Sequence, residues 1–175
     1  MQIAEPQTLA RRHAILDMRC VALDGRRSNA LTERKSTIHF SENGIRMTMN
    51  AAELIDHVLY PECLDHLADD VEWVLPVSVG GTHKGKVAVL EMLDGVMTQF
   101  YDPTTISADV ITAFGTENFA TMVFVMSATT RWGQAYRNQY SITIQTAEGK
   151  ITRVYELCDT KNLFDTMDIP GTMRA

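Results

Sequence analysis

The sequence predicts an α+β fold in which helices pack on one face of a mixed, mostly antiparallel sheet. Between residues 50 and 102, three helical patterns surround a single short strand. After residue 105, four long segments of alternating apolar residues follow one another at hairpin spacing. With 175 residues and an apolar fraction of 45%, the chain is large enough for one core.

The first two helices are predicted from their capping residues. Asn50 is a suitable N-cap for a helix over residues 51–59, and Glu53 stands where it would complete a capping box. Pro61 ends this helix and opens a second one over residues 61–67.

A third helix is predicted over residues 87–101, where apolar side chains recur at helical spacing before Asp102-Pro103. The preceding segment, residues 77–84, contains Gly80-Gly81 and is expected to be a loop. The predicted strands cover residues 71–75, 106–114, 119–130, 136–146 and 151–158.

The chain divides by composition into an extension over residues 1–49, a domain over 50–167 and a tail over 168–175. Residues 1–50 carry eight basic and five acidic side chains, whereas residues 51–175 carry eight and seventeen. In the extension we expect a short helix within 10–23 and a strand within 36–40. Met47 or Met49 is a plausible alternative start.

Charge and hydropathy exclude several classes of partner. The acidic domain lacks the basic face that binds phosphates, so we expect no nucleic acid. Apolar runs are too short to span a membrane, and charges interrupt any signal-peptide pattern, so we expect a cytoplasmic protein. Three single cysteines predict no disulfide framework, and neither a metal-ligand spacing nor a phosphate loop is present.

Three sequence stretches add a resemblance to a known family. They are HLADDVEWVLP (66–76), GTHKGKVAVLEML (81–93) and GQAYRNQYSITIQTAEGKITRVYELCDT (133–160). In order and spacing, the region 50–167 resembles the SnoaL-like domains of the nuclear transport factor 2-like (NTF2-like) superfamily, which include polyketide cyclases and relatives of ketosteroid isomerase. The resemblance implies a cone-shaped sheet of the cystatin-like roll type around a pocket for a small apolar molecule, and a homodimer formed through the sheet.

The resemblance also implies catalytic residues. Asp159 matches the aspartate that closes the last strand and acts as an acid or base in the cyclases. The alternative is a carboxylate that caps a turn or pairs with a neighbouring cation. Asn138 and Tyr140 share one strand face with two isoleucines, so they are expected to point inward. There they would hold an enolate oxygen, unless Tyr140 is an ordinary core tyrosine.

A second carboxylate, Glu156, is expected to face outward and pair with Arg137 or Arg153, unless a bulge turns it inward to contact substrate. His83 is a further substrate-binding candidate or a solvated side chain. The expected wall of the pocket, with ordinary core packing as its alternative, consists of Trp73, Met92, Met97, Phe114, Met122, Phe124 and Met126.

Two activities of the resembled family are disfavoured by this sequence. The position of the ketosteroid isomerase base falls on Leu75, which takes no proton, and residues 123–130 lack the charged pair of the epoxide hydrolases. The expected function is therefore proton transfer without a cofactor, of the cyclase, isomerase or dehydratase type, on an apolar cyclic or polyketide-like compound. A non-catalytic binding or interaction module is the alternative.

Overall fold

The computed structural model describes residues 38–41, 44–47 and 49–167. Strands β1 (Ile38–Ser41) and β2 (Gly44–Met47) form an antiparallel pair, so the strand expected within 36–40 is present. The helix predicted within 10–23 and the tail over 168–175 lie outside the described residues.

Helix α1 (Ala51–Leu54) begins at the predicted N-cap. The Asn50 side chain accepts a hydrogen bond from the Glu53 N–H at 3.0 Å, and Glu53 Oε2 accepts one from the Asn50 N–H at 2.9 Å, which confirms the capping box. The helix is shorter than predicted and continues as a 3₁₀ turn, Ile55–His57. The second predicted helix is a 3₁₀ segment, Pro61–His66, and the extended Tyr60 before the proline separates it from the first.

Six further strands form one open sheet. They are β3 (Leu67–Val74), β4 (Thr82–Lys84), β5 (Ser107–Gly115), β6 (Phe119–Thr129), β7 (Ala135–Ala147) and β8 (Lys150–Cys158). Their order in the sheet is β4-β3-β8-β7-β6-β5, and all pairs are antiparallel except β3 with β8. Strand β3 begins earlier than predicted. Strand β4 lies in the segment expected to be a loop, because its three residues are too few to show an alternating pattern.

Two further helices pack against this sheet. Helix α2 (Lys86–Phe100) is the predicted long helix, and it buries Val89 and Met97. Helix α3 (Thr160–Met167) was not predicted, and it buries Leu163 and Met167. No helix among the described residues is long and apolar enough to cross a membrane.

One face of the sheet, the inner face, carries most of the core. Along β7 every second side chain from Tyr136 to Thr146 is buried, and Ala120 to Ala128 of β6 alternate in the same way. A register shift in the β7–β8 pairing skips Thr152, so Ile151 and Val154 are both buried. This bulge shifts the alternation of side chains along β8 by one residue, so that Glu156 and Cys158 face the inner side of the sheet.

Candidate active site

A row of polar side chains stands in the apolar inner face at one end of β7. Tyr136, Asn138 and Tyr140 alternate with exposed residues and are 2%, 3% and 7% exposed. The hydroxyl groups of Tyr136 and Tyr140 share a hydrogen bond of 2.7 Å. The inward orientation predicted for Asn138 and Tyr140 is therefore present, and Tyr136 extends the row by one position.

Tyr101 brings a third phenol to this cluster from the end of helix α2. The helix ends at Phe100, and the Asp102 N–H donates to the Thr129 carbonyl, which places Tyr101 opposite Thr130 in an isolated β-bridge. The ring of Tyr101 contacts that of Tyr136, with ring centroids 5.5 Å apart and the ring planes tilted by 47°. The pairing of a helix end with β6 thus builds part of the site.

The amide of Asn138 connects this cluster to helix α3. Its Nδ2 donates to the Tyr136 hydroxyl at 2.8 Å and to the main-chain oxygen of Asp159 at 3.0 Å. Its Oδ1 is buried without a hydrogen-bond partner among the described residues. An unpaired buried acceptor costs about 1–3 kcal/mol of stability. The Oδ1 atom of Asn138 is therefore an unusual feature of this cluster.

Glu156 faces inward, and its carboxylate accepts a hydrogen bond of 2.8 Å from Trp73 Nε1. Trp73 pairs with Val154 in the parallel β3–β8 ladder, so the indole reaches Glu156 diagonally on the same face. Protein atoms surround the carboxylate although part of the side chain remains accessible. The resulting desolvation raises the pKa of Glu156, and the indole N–H offsets this only in part.

Glu156 does not face outward to pair with Arg137 or Arg153, because the bulge in β8 turns it inward, which is the alternative that the sequence left open. Arg153 lies on the opposite face of β8 and pairs with Glu72, which also binds Lys84 at 2.8 Å. Hydrogen bonds from Lys84 and Arg153 lower the pKa of Glu72. Arg153 is thus engaged on the outer face, and no ion pair to Glu156 is found among the described residues.

Burial raises the pKa of each of the three tyrosines, so their hydroxyl groups stay protonated and remain hydrogen-bond donors. The charge of Glu156 adds to this effect on the pKa of Tyr101 and Tyr140, and Glu156 is the diagonal neighbour of Tyr140 in the β7–β8 ladder. Cys158 follows Glu156 on the same face, and burial raises the pKa of its thiol to about 11. The cluster combines one carboxyl group with several neutral donors.

Asp159 is not in the desolvated environment that was expected for a catalytic acid. It is exposed, and its Oδ1 accepts a hydrogen bond of 3.1 Å from the Asn162 N–H at the start of helix α3. Strand β8 ends at Cys158, so the alternation that turns Glu156 inward does not extend to residue 159. This arrangement is the turn-capping alternative, because a carboxylate at a helix N-terminus binds free N–H groups.

The predicted wall is largely on the inner face. Phe124 stacks on Tyr140 with ring centroids 5.5 Å apart. His83 is half-buried and is paired with Trp73 across β3 and β4, so both side chains share a face. Phe114 is the exception, being 64% exposed on the outer face. The other members are buried except for the half-buried Met92: Trp73, Met97, Met122 and Met126.

Sequence reasoning missed Tyr101 and Tyr136 as members of the cluster. For Tyr136 a signal was present, since it continues the spacing of two that Asn138 and Tyr140 share. For Tyr101 the sequence offered one signal, its position directly before Asp102-Pro103, where the chain is expected to leave the helix. Among the described residues, no three His, Cys, Asp or Glu side chains are grouped as metal ligands.

Solved structures of other proteins show the same fold. Neither a protein-family model nor a curated protein matches the chain, but solved structures do. TerC, co-crystallised with polyporic acid, is 20% identical, with 61% of this chain and 84% of TerC covered and a TM-score of 0.54. An NTF2-like protein of unknown function from Burkholderia pseudomallei is 17% identical, with 69% and 93% covered and a TM-score of 0.56.

A putative SnoaL-like polyketide cyclase from Jannaschia is 8% identical, with 62% of this chain and 78% of the cyclase covered and a TM-score of 0.54. At these identities the similarity establishes the fold and not the reaction. The chain has the α+β fold of the NTF2-like superfamily, as the sequence predicted.

Proposed function

We propose that the inner face of the sheet binds a small apolar cyclic molecule and catalyses a proton transfer on it, of the cyclase, isomerase or dehydratase type. Glu156 is the acid-base group, and Tyr140 donates a hydrogen bond to the oxygen that gains negative charge. The observation that carries this proposal is an enclosed carboxyl group with a raised pKa beside protonated phenols.

The chemistry requires groups of these two kinds. A carboxyl group whose pKa is raised toward neutral pH exchanges a proton with carbon or oxygen more effectively than a fully ionised one. Phenols that remain protonated donate to an enolate oxygen in an environment from which water is largely excluded. As proposed, the reaction uses no cofactor, and the protein acts in the cytoplasm.

The surroundings of the cluster support an apolar ligand. Phe124, Met126 and Ile142 lie beside the polar row on the inner face, and methionine adapts to ligands of different shape. TerC, which has the same fold, was co-crystallised with polyporic acid. A pocket for a small molecule between the sheet and helix α2 is part of the proposal.

Asp159 is the alternative catalytic carboxylate, and one experiment separates it from Glu156. Exchange of α-protons for deuterium is followed by NMR in deuterated buffer, on a panel of cyclic ketones and 1,3-diketones. Glu156→Gln and Asp159→Asn make the same chemical change on two carboxylates. We expect Glu156→Gln to slow the catalysed exchange by about 10²-fold or more and Asp159→Asn to leave it near the wild-type rate.

The reverse result would assign the reaction to Asp159. If wild-type protein exchanges no member of the panel above the buffer rate, the enzymatic proposal is rejected for this substrate class. Native mass spectrometry of freshly purified protein then tests the alternative of a non-catalytic binding module, which predicts a retained ligand.

An interaction role has its own supporting observation, the large apolar side chains that are exposed on the outer face of the sheet. Phe114 and Leu157 are 64% and 58% exposed there, which is typical of a contact surface. We propose a homodimer formed through this face. Sedimentation at micromolar concentration should show a dimer that Leu157→Lys converts to a monomer, whereas Val77→Lys, at an exposed loop residue, should not. A monomeric wild-type protein rules the dimer out.

A further inference from the structure

The side chain of Asn138 has one hydrogen-bonding atom that the fold does not use. Both hydrogens of Nδ2 are engaged, by the Tyr136 hydroxyl and by the main-chain oxygen of Asp159. The acceptor Oδ1 is buried, and no donor among the described residues reaches it. The unsatisfied atom is therefore an acceptor and not a donor.

The orientation of this amide is fixed by its surroundings. The main-chain oxygen of Asp159 can only accept, so exchanging the amide oxygen and nitrogen would set two acceptors 3.0 Å apart. The nitrogen must then face Asp159. The hydrogen bond to Tyr136 agrees with this orientation, since a phenol oxygen accepts from an N–H.

This orientation changes the role expected for Asn138. An enolate oxygen beside Oδ1 would be repelled, because both atoms carry negative charge and neither has a hydrogen to give. A ligand group with an O–H or N–H would instead satisfy the buried acceptor. The amide therefore distinguishes between ligands by the presence of a donor.

Met126 stands directly opposite Asn138 in the β6–β7 ladder, and both side chains are buried on the inner face. Directly opposed side chains have their Cβ atoms about 4.5–5.5 Å apart. Oδ1 itself has almost no accessible surface, so a ligand reaches it only after a neighbour moves. Methionine is unbranched and flexible, which makes it the side chain best suited to turn aside.

We propose that the site takes a neutral ring compound carrying a hydroxyl group, and that Asn138 Oδ1 accepts a hydrogen bond from that hydroxyl once Met126 turns aside. A neutral hydroxyl group is the donor proposed for the amide oxygen, and the apolar Met126 and Phe124 on the neighbouring strand would contact the ring that carries it. The inference rests on the proposed function, since it specifies the ligand of the same site. It makes Asn138 a specificity-determining residue.

A matched pair of probes tests this assignment. 2-Naphthol and 2-methoxynaphthalene have the same rings and the same oxygen, but only the first has a donor. NMR titration at a pH where naphthol is neutral should give wild-type protein about tenfold higher affinity for 2-naphthol, as expected for one buried hydrogen bond. In Asn138→Leu, which removes the acceptor Oδ1, this preference for 2-naphthol should disappear.

A second measurement needs no variant and remains available if Asn138→Leu does not fold. The ¹³Cγ resonance of Asn138 in labelled wild-type protein should shift downfield with 2-naphthol and not with 2-methoxynaphthalene. Equal affinities for the two probes, or equal shifts, overturn the role of Asn138 but leave the small-molecule site standing. If neither probe binds at millimolar concentration, both this inference and the proposed site for apolar rings are rejected.

Discussion

The hydrogen bond between Trp73 and Glu156 gives a prediction that can be measured without knowing the ligand. Trp73 Nε1 lies 2.8 Å from the carboxylate. A hydrogen bond to a charged partner contributes about 1.5–3 kcal/mol, and one between neutral groups contributes about 0.5–1.5 kcal/mol. Trp73→Phe removes the donor and should lower the free energy of unfolding by about 1.5–3 kcal/mol when Glu156 is present.

In protein that carries Glu156→Gln, the same tryptophan change should cost about 1 kcal/mol less, because the amide oxygen accepts only a neutral hydrogen bond. The four proteins of this double-mutant cycle are compared by urea unfolding, monitored by circular dichroism at pH 7. A coupling energy within about 0.5 kcal/mol of zero would refute the reasoning. It would show that the indole does not stabilise the charged carboxylate.

The pH dependence of the cycle follows from the raised pKa of Glu156. The folded protein keeps this proton at pH values where the unfolded chain, with an ordinary pKa of 4.5, has lost it. The free energy of unfolding should therefore decrease as pH rises from about the unfolded value through the folded one, and stay constant above. Glu156→Gln should remove this decrease. An unchanged pH profile in the variant would contradict the raised pKa.

Three further predictions concern residues outside this pair. Asp159→Ala should lower the free energy of unfolding by about 1 kcal/mol through loss of the helix cap, whereas Asp159→Asn should change it little; equal losses in urea unfolding would contradict the cap. Gly115→Ala should cost about 1–3 kcal/mol, since its Cβ would stand 2.4 Å from that of Ala120; an unchanged melting temperature would argue against this packing. Cys63 and Cys158 should resist iodoacetamide at pH 8 in the folded protein, because burial raises their pKa values to about 12 and 11; rapid labelling detected by mass spectrometry would contradict that burial.

The sequence predicted those parts of the fold that rest on local signals. The capping box at Asn50 and the alternation along β7 act within a few residues, so they were read correctly from the pattern. Strand β4 was missed because its pairing with β3, and not its three residues, defines it. Helix α3 was missed because its start depends on where β8 ends and on the cap from Asp159.

The candidate site was predicted in part for the same physical reason. Asn138 and Tyr140 were expected to face inward because a single strand determines their orientation. The orientation of Glu156 depends on a bulge at Thr152 and on an indole from β3, neither of which its neighbours in the sequence reveal. Tyr101 joins the cluster through a bridge to Thr130, a contact between residues far apart in the chain.

The place of β8 between β3 and β7 has a consequence for folding during synthesis. Strand β3 pairs with the short β4 early, but its other edge stays open until the ribosome has made residues 150–158, about eighty positions later. Pairing over so long a separation is slow, and an open strand edge favours aggregation. Within this domain, the last strand to be translated is therefore the one that joins β3 and β4 to the other strands of the sheet.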